Sequence, residues 1–289
     1  MKALIVGAGG LVGKALTAAA PPAWQVTVLD RAALDIADAA KVQATVAQLE
    51  PDVIFNCAGH LAVDKVETEK ELAWACNAEG PRHLASAIAR GTGRLIHIST
   101  NYVFSGNAFT PYGVDAATDP VNYYGVSKRA GELAALEVLG RRAAVVRTSW
   151  VYGIAGRSFF HTIMRVLKEK GLATVVDDQV GTPTSAPVLA RVLWKIANEP
   201  SIHGMLHWTD EGVASWYDFA QAIAEDAIAF GLLPPGAKVL PIVTAQFPTL
   251  VPRPMYGVLD KRSSVAALGE VPRYWRTELR ELMRQMPVP

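Results

Sequence analysis

Cysteine, net charge and long apolar runs are what this 289-residue chain has least of. Cys57 and Cys76 are its only cysteines and form no C-x-x-C or Cys/His spacing, which argues against a disulfide framework or a zinc site and predicts two buried free thiols. Lys and Arg total 28 against 27 Asp and Glu, a net charge of +1, and no basic cluster exceeds pairs such as Arg141-Arg142. The electrostatic footprint of a nucleic-acid or anionic-membrane binder is therefore missing, and a small-molecule substrate fits better. No uninterrupted apolar run reaches the roughly 18 residues of a membrane span. Met1 to Ala20 superficially resembles a secretory leader, but Gly7, Gly9, Gly10 and Gly13 interrupt it, so a cytoplasmic location is expected. There is no internal repeat, heptad or low-complexity tract.

A 51% hydrophobic composition supplies a sizeable core, and the length predicts about two domains. The apolar run Ala3-Leu4-Ile5-Val6 enters Gly7-Ala8-Gly9-Gly10-Leu11-Val12-Gly13 and then an Ala-rich helix. That is a strand, a glycine turn and a helix start, the arrangement that binds a dinucleotide pyrophosphate through backbone N–H groups. In this turn Gly7 and Gly10 allow close approach of the phosphates, and Gly13 lets helix and strand pack. The next strand, Val26 to Leu29, ends at Asp30, where a carboxylate reads the ribose 2′-OH. Arg31 follows directly and would welcome a 2′-phosphate, so NADPH and NADH both stay open.

Further strands are predicted at Asp52–Asn56, Arg94–Ser99 and Ala143–Thr148, with helices at Ala37–Leu49, Glu67–Arg90 and Asn122–Leu139. Alternation of this kind predicts an α/β fold, a Rossmann-type doubly wound parallel sheet, over residues 1–150. Beyond about residue 150 proline and glycine punctuation increases, predicting a smaller, interleaved substrate lobe over 151–289 with some segments returning to the first domain.

Two segments carry the chemistry. Ser99-Thr100 ends a predicted strand, and Tyr124-Gly125-Val126-Ser127-Lys128 starts a predicted helix, placing a phenol and an ammonium one turn apart on one face. An ammonium beside a phenol is expected to lower its pKa; reaching neutrality from about 10 takes roughly 4 kcal/mol of differential stabilisation. Tyr123 has no lysine one turn on and reads as structural; His97, between Ile96 and Ile98, reads as a satisfied core histidine.

Taken together, these motifs resemble the extended short-chain dehydrogenases/reductases, and within them the dTDP-4-dehydrorhamnose reductase family. The likeness runs nearly end to end, through Leu34-Asp35-Ile36, Pro51 to Asn56, Ala62 to Glu67, Ser99 to Gly106, Arg147 to Gly153, Asp178 to Thr184 and Arg253 to Asp260. The resemblance implies NAD(P)H-dependent reduction of the 4-keto group of a nucleoside-diphosphate 4-keto-6-deoxyhexose. It casts Thr100 as the catalytic hydroxyl, Tyr124 as proton donor and Lys128 as the ammonium that holds the ribose. Cofactor contacts fall on Gly10, Leu11, Val12, Asp30, Asp35 and Ile36, then on Ala58, Gly59, His60 and Leu61. Substrate contacts fall on Thr100, Asn101, Tyr124 and Trp150, with Arg253 facing the diphosphate. A nucleotide-sugar epimerase or dehydratase, or a non-catalytic cofactor-binding regulatory subunit, would share much of this pattern.

The chain also departs from that family. Asn101 stands where an Asp usually follows the catalytic Thr, and Gly257 stands where a Ser is usual. Ala15 occupies the position of a glutamate that some relatives use in a magnesium-bridged dimer, so neither a metal nor that dimer is expected.

Overall fold

The computed structural model describes residues 1–247 and 249–287; Pro248, Val288 and Pro289 lie outside the described residues. Five parallel strands, β1 (Lys2–Val6), β2 (Gln25–Leu29), β3 (Val53–Asn56), β4 (Arg94–Thr100) and β5 (Ala143–Thr148), form the central sheet. A sixth strand from the second half of the chain, Gly204–His207, pairs in parallel with β5 and extends the sheet. The order is β2-β1-β3-β4-β5 and then Gly204–His207, so the winding reverses between β1 and β3. Ligand crevices open at such reversals, beyond the carboxyl ends of the strands.

Alternate residues of each strand feed opposite faces. Ala3 and Ile5 join a core with Leu16 of helix α1 (Leu11–Ala18) and with Leu189, Leu193 and Trp194 of the helix Ala186–Asn198. Leu4 and Val6 face the other way, onto Val42 and Val46 of α2 (Ala39–Leu49) and onto Leu84 and Ile88. Burial on both faces explains why these strands read as continuous apolar runs rather than as alternating ones. A separate core, built on Tyr152, Phe160, Phe219, Ile223, Trp275 and Leu279, organises much of the second half.

The predicted helix Glu67–Arg90 is not continuous. It is broken into Lys70–Trp74, a π-helical turn at Ala75–Glu79, and Gly80–Ala89. Pro81 lacks the N–H that the Asn77 carbonyl needs from the next turn, and the helix widens there. The catalytic-helix candidate Tyr123–Leu139 packs against that widened turn so closely that a Cβ on Gly131 would lie 2.1 Å from the Asn77 carbonyl oxygen. Its N-terminus is capped by Asn122, whose side chain accepts from the Gly125 amide at 2.9 Å.

Candidate active site

Two cavities meet at the switch point. One, of about 350 Å³, is lined by Gly7, Gly9, Gly10, Asp30, Arg31 and Asp35, with Leu34, Ile36, Ala58, Gly59, Leu61 and both cysteines on its walls. The other, of about 300 Å³, is lined by Leu11, Val12, Thr100, Asn101, Tyr124, Lys128 and Trp150, among others. Gly10, Cys57, Ala58 and Leu61 line both, so the two cavities form one path from Asp30 to Tyr124.

The glycine turn fits a dinucleotide phosphate. Gly7 has φ +74°, and a Cβ there would sit 2.5 Å from the Ala58 nitrogen. No side chain caps α1, which leaves the amides of its first turn free to meet an anion. Gly13 lines neither cavity: a Cβ there would meet Gly7 O and Ala8 Cα at 2.6 Å, so it serves packing rather than ligand contact. His60 also lines neither. Its ring pairs with Glu69 at 2.6 Å, while its backbone is clamped by the Asn77 amide, which accepts from His60 N at 2.7 Å and donates to His60 O at 3.0 Å.

That amide also donates to the Ser127 hydroxyl at 3.0 Å, tying the Ala58–Leu61 turn to the catalytic-helix candidate. Asn77 was not singled out by sequence, because nothing local marks a residue whose partners lie at positions 60 and 127. At the far end of the larger cavity Arg31 is exposed and pairs with Asp35 at 3.7 Å, while Asp30 accepts from the Ala33 amide.

Thr100, Tyr124 and Lys128 come together in the smaller cavity, each more than nine-tenths buried. The Thr100 hydroxyl accepts from the Tyr102 amide at 3.2 Å and donates to Asn101 Oδ1 in a long contact of 3.4 Å. Burial pushes the Tyr124 phenol well above its ordinary value, opposed by the Thr100 hydroxyl and reinforced by Tyr102. Burial, and not the expected downward pull from Lys128, sets the direction of the shift. The Lys128 ammonium donates to the Ile98 carbonyl at 2.7 Å, and burial alone outweighs other influences on the phenol. Lys128 itself is lowered to about 8, by burial first, with Glu132 and Cys57 acting in the opposite sense.

Beneath these residues lies a fully buried carboxylate. Glu132, one turn beyond Lys128, accepts from Arg147 twice at 2.8 Å, from Ser99 at 2.6 Å and from Arg129 at 3.1 Å. It therefore fastens the end of β4, which carries Thr100, to the helix that carries Tyr124 and Lys128. His97 is fully buried and bonded through Nδ1 to Asn56 at 3.0 Å, with Nε2 unpartnered; burial and then Lys128 push it far below its ordinary pKa, leaving it neutral. Tyr123 lies outside the cavity, its ring under the Lys70 ammonium.

On the opposite wall Trp150 adopts φ +46°, a conformation a bulky residue rarely takes. Its ring stacks on Trp216 at 3.7 Å, and Gly181 leaves room for it, since a Cβ there would lie 2.8 Å from the indole. Trp216 belongs to the site through this stack and carries no motif that would have marked it. Arg253 is not in either cavity. It lines a neighbouring one of about 570 Å³, which shares Tyr102 and Trp216 with the smaller cavity, and it pairs with Asp64 at 2.7 Å.

Asn101 and Gly257 prove to be one feature rather than two. Asn101 Nδ2 donates to the Gly257 carbonyl at 3.1 Å, and a Cβ on Gly257 would lie 2.2 Å from that nitrogen. The amide occupies the space a side chain at 257 would need.

The model of the RmlD substrate binding domain matches residues 1–288. The dTDP-4-dehydrorhamnose reductase of Mycolicibacterium smegmatis is 43% identical over 282 residues, 96% of this chain and 84% of that protein. Among solved structures, a dTDP-4-dehydrorhamnose reductase from Clostridium acetobutylicum superposes with a TM-score of 0.93 at 36% identity, covering 99% of this chain and 100% of that one. A second, from Bacillus anthracis in complex with NADP, gives a TM-score of 0.92 at 32% identity, covering 99% of each chain.

Proposed function

The chain belongs to the RmlD substrate-binding-domain family, and from that premise we propose that it reduces the 4-keto group of a dTDP-4-keto-6-deoxyhexose, dTDP-4-dehydro-L-rhamnose giving dTDP-L-rhamnose. The observation that carries this reading is the convergence of Thr100, Tyr124 and Lys128 on a cavity continuous with the glycine-turn cavity. A reduced nicotinamide dinucleotide, NADPH or NADH, supplies the hydride when bound. Gly7, Gly10, Leu11 and Val12 would hold its pyrophosphate, Asp30, Arg31, Asp35 and Ile36 its adenosine half, and Ala58, Gly59 and Leu61 the turn between the cavities.

Ketone reduction builds negative charge on the carbonyl oxygen. Thr100 holds that oxygen by turning its hydroxyl proton from the long contact with Asn101 Oδ1 to the substrate, and Tyr124 donates the proton that completes the alcohol. A proton donor must be protonated beforehand, and burial secures this for Tyr124. General-acid help of this kind contributes about 10²–10⁴-fold. Lys128 is placed to hold the ribose and to meet the charge left on the phenolate, while Glu132 keeps both elements in register. Trp150 offers an apolar face to the deoxysugar, and Arg253, in exchange for Asp64, a cation to the substrate's diphosphate. The domain boundary near residue 150 separates the hydride and proton machinery from the segments that recognise the sugar. We place the enzyme in the cytoplasm, where both the reduced dinucleotide and the nucleotide sugar are at hand; no helix among the described residues is long and apolar enough to cross a membrane.

Incubation with NADPH and a panel of dTDP-, UDP- and GDP-4-keto-6-deoxysugars tests the reading. Loss of the reduced-nicotinamide absorbance with the dTDP substrate is expected; cofactor that stays bound but is oxidised by none of them would overturn it.

A further inference from the structure

The glycine turn has a cover that no motif announced. The loop Gly153-Ile154-Ala155-Gly156-Arg157 leaves the second domain and lies on the first residue of α1. A Cβ on Gly156 would sit 3.3 Å from Leu11 Cβ and 3.6 Å from Leu11 N, and one on Gly153 would sit 3.7 Å from the Leu11 side chain. Gly156 also has φ +97°, a conformation that calls for glycine. The next residue, Arg157, lines the smaller cavity beside Gly10, Leu11 and Val12.

Charge decides what that arginine is for. A dinucleotide pyrophosphate brings about two negative charges, whereas the end of α1 offers roughly half a positive one. The turn itself, Gly7 to Gly13, contains no Lys or Arg. Among the described residues two cations line the smaller cavity, Lys128, assigned above to the ribose and the phenolate, and Arg157, while Arg31 lines the glycine-turn cavity and pairs with Asp35. Arg253 faces the neighbouring cavity and is paired with Asp64. Arg157 is exposed, and among the described residues it makes no ion pair and no side-chain hydrogen bond. A planar, permanently charged fork held at the rim of a phosphate cradle suits two adjacent phosphate oxygens.

We propose that Arg157 is a pyrophosphate clamp: the Gly153–Arg157 loop, seated on Leu11 of α1, presents its guanidinium to the bound dinucleotide and completes a phosphate site that α1 alone leaves undercharged. The inference rests on the cofactor reading above and concerns binding rather than turnover. It also makes the second domain a contributor to cofactor affinity, because the loop belongs to the lobe whose core contains Tyr152 and Phe160.

Titration calorimetry without any sugar substrate tests it. Arg157→Ala is expected to weaken NADPH and ADP-ribose, which both carry a pyrophosphate, by roughly ten- to a hundredfold, and to leave AMP unchanged; Arg157→Lys should recover part of the loss. NADPH should also slow tryptic cleavage after Arg157 in the wild-type protein. Unchanged NADPH and ADP-ribose affinity in Arg157→Ala overturns the clamp, as does a change confined to the KM of the nucleotide sugar, which would make Arg157 a reader of the substrate's diphosphate. Wild-type protein that failed to bind NADPH would instead overturn the cofactor reading itself.

Discussion

The two walls of the catalytic cavity are built on different principles. One wall, the end of β4 and the helix Tyr123–Leu139, buries its catalytic groups and is held by a closed network of Glu132 with Arg147, Arg129 and Ser99. The other wall, Trp150, Trp216 and the Gly153–Arg157 loop, depends on one aromatic stack, a strained backbone at Trp150 and glycines that leave space. The difference matches the two tasks. Proton delivery needs groups fixed to a fraction of an ångström, whereas two large ligands must enter and leave past the other wall.

Lys128→Ala should break the rigid wall most severely. It removes a cation placed to serve both the ribose and the phenolate, so kcat is expected to fall by about 10²–10⁴ and NADPH affinity by about ten- to a hundredfold. Steady-state kinetics paired with direct cofactor titration checks it. If cofactor affinity stayed normal, Lys128 would not touch the ribose.

Glu132→Gln tests whether that wall is fastened as described. Removing the charge strands the buried Arg147 guanidinium, and breaking such a pair costs about 3–5 kcal/mol. Urea unfolding should show the loss as a lower midpoint. A change below about 1 kcal/mol, the worth of a surface pair, would show that the network does not hold β4 to the helix.

Where the two walls meet, Gly257→Ser sharpens the comparison with a smaller effect. The added Cβ must displace the Asn101 amide, at about 1–3 kcal/mol of overpacking. Combining it with Asn101→Ala should relieve most of that cost, with a coupling of about 1 kcal/mol or more. Strict additivity in thermal or denaturant melts would mean the two positions act independently.

What was legible in the sequence follows the same division. The glycine turn, Asp30, Thr100 and the Tyr124/Lys128 pair are local patterns, each readable within a few residues of a strand end. The sheet was readable for a related reason, since strands buried on both faces leave apolar runs that flanking glycines and helices delimit. Trp216, Asn77 and the Glu132–Arg147 pair were not legible, because their partners are distant in sequence, and Arg157 was not because only the packed fold brings its loop to Leu11. The direction of the Tyr124 shift was misjudged for a different reason: spacing shows that a lysine is near but not how deeply the phenol is buried. The break in the Glu67–Arg90 helix had a visible sign in Pro81, but what the widened turn does depends on Gly131, far along the chain.

The central claim is that Tyr124 delivers the proton from a wall that stays intact without it. Tyr124→Phe removes only the phenolic oxygen, so the melting temperature and NADPH affinity should stay close to those of the wild type while single-turnover reduction of dTDP-4-dehydro-L-rhamnose slows by about 10²–10⁴. A folded, NADPH-binding Tyr124→Phe protein that reduces the sugar at the wild-type rate would contradict the account.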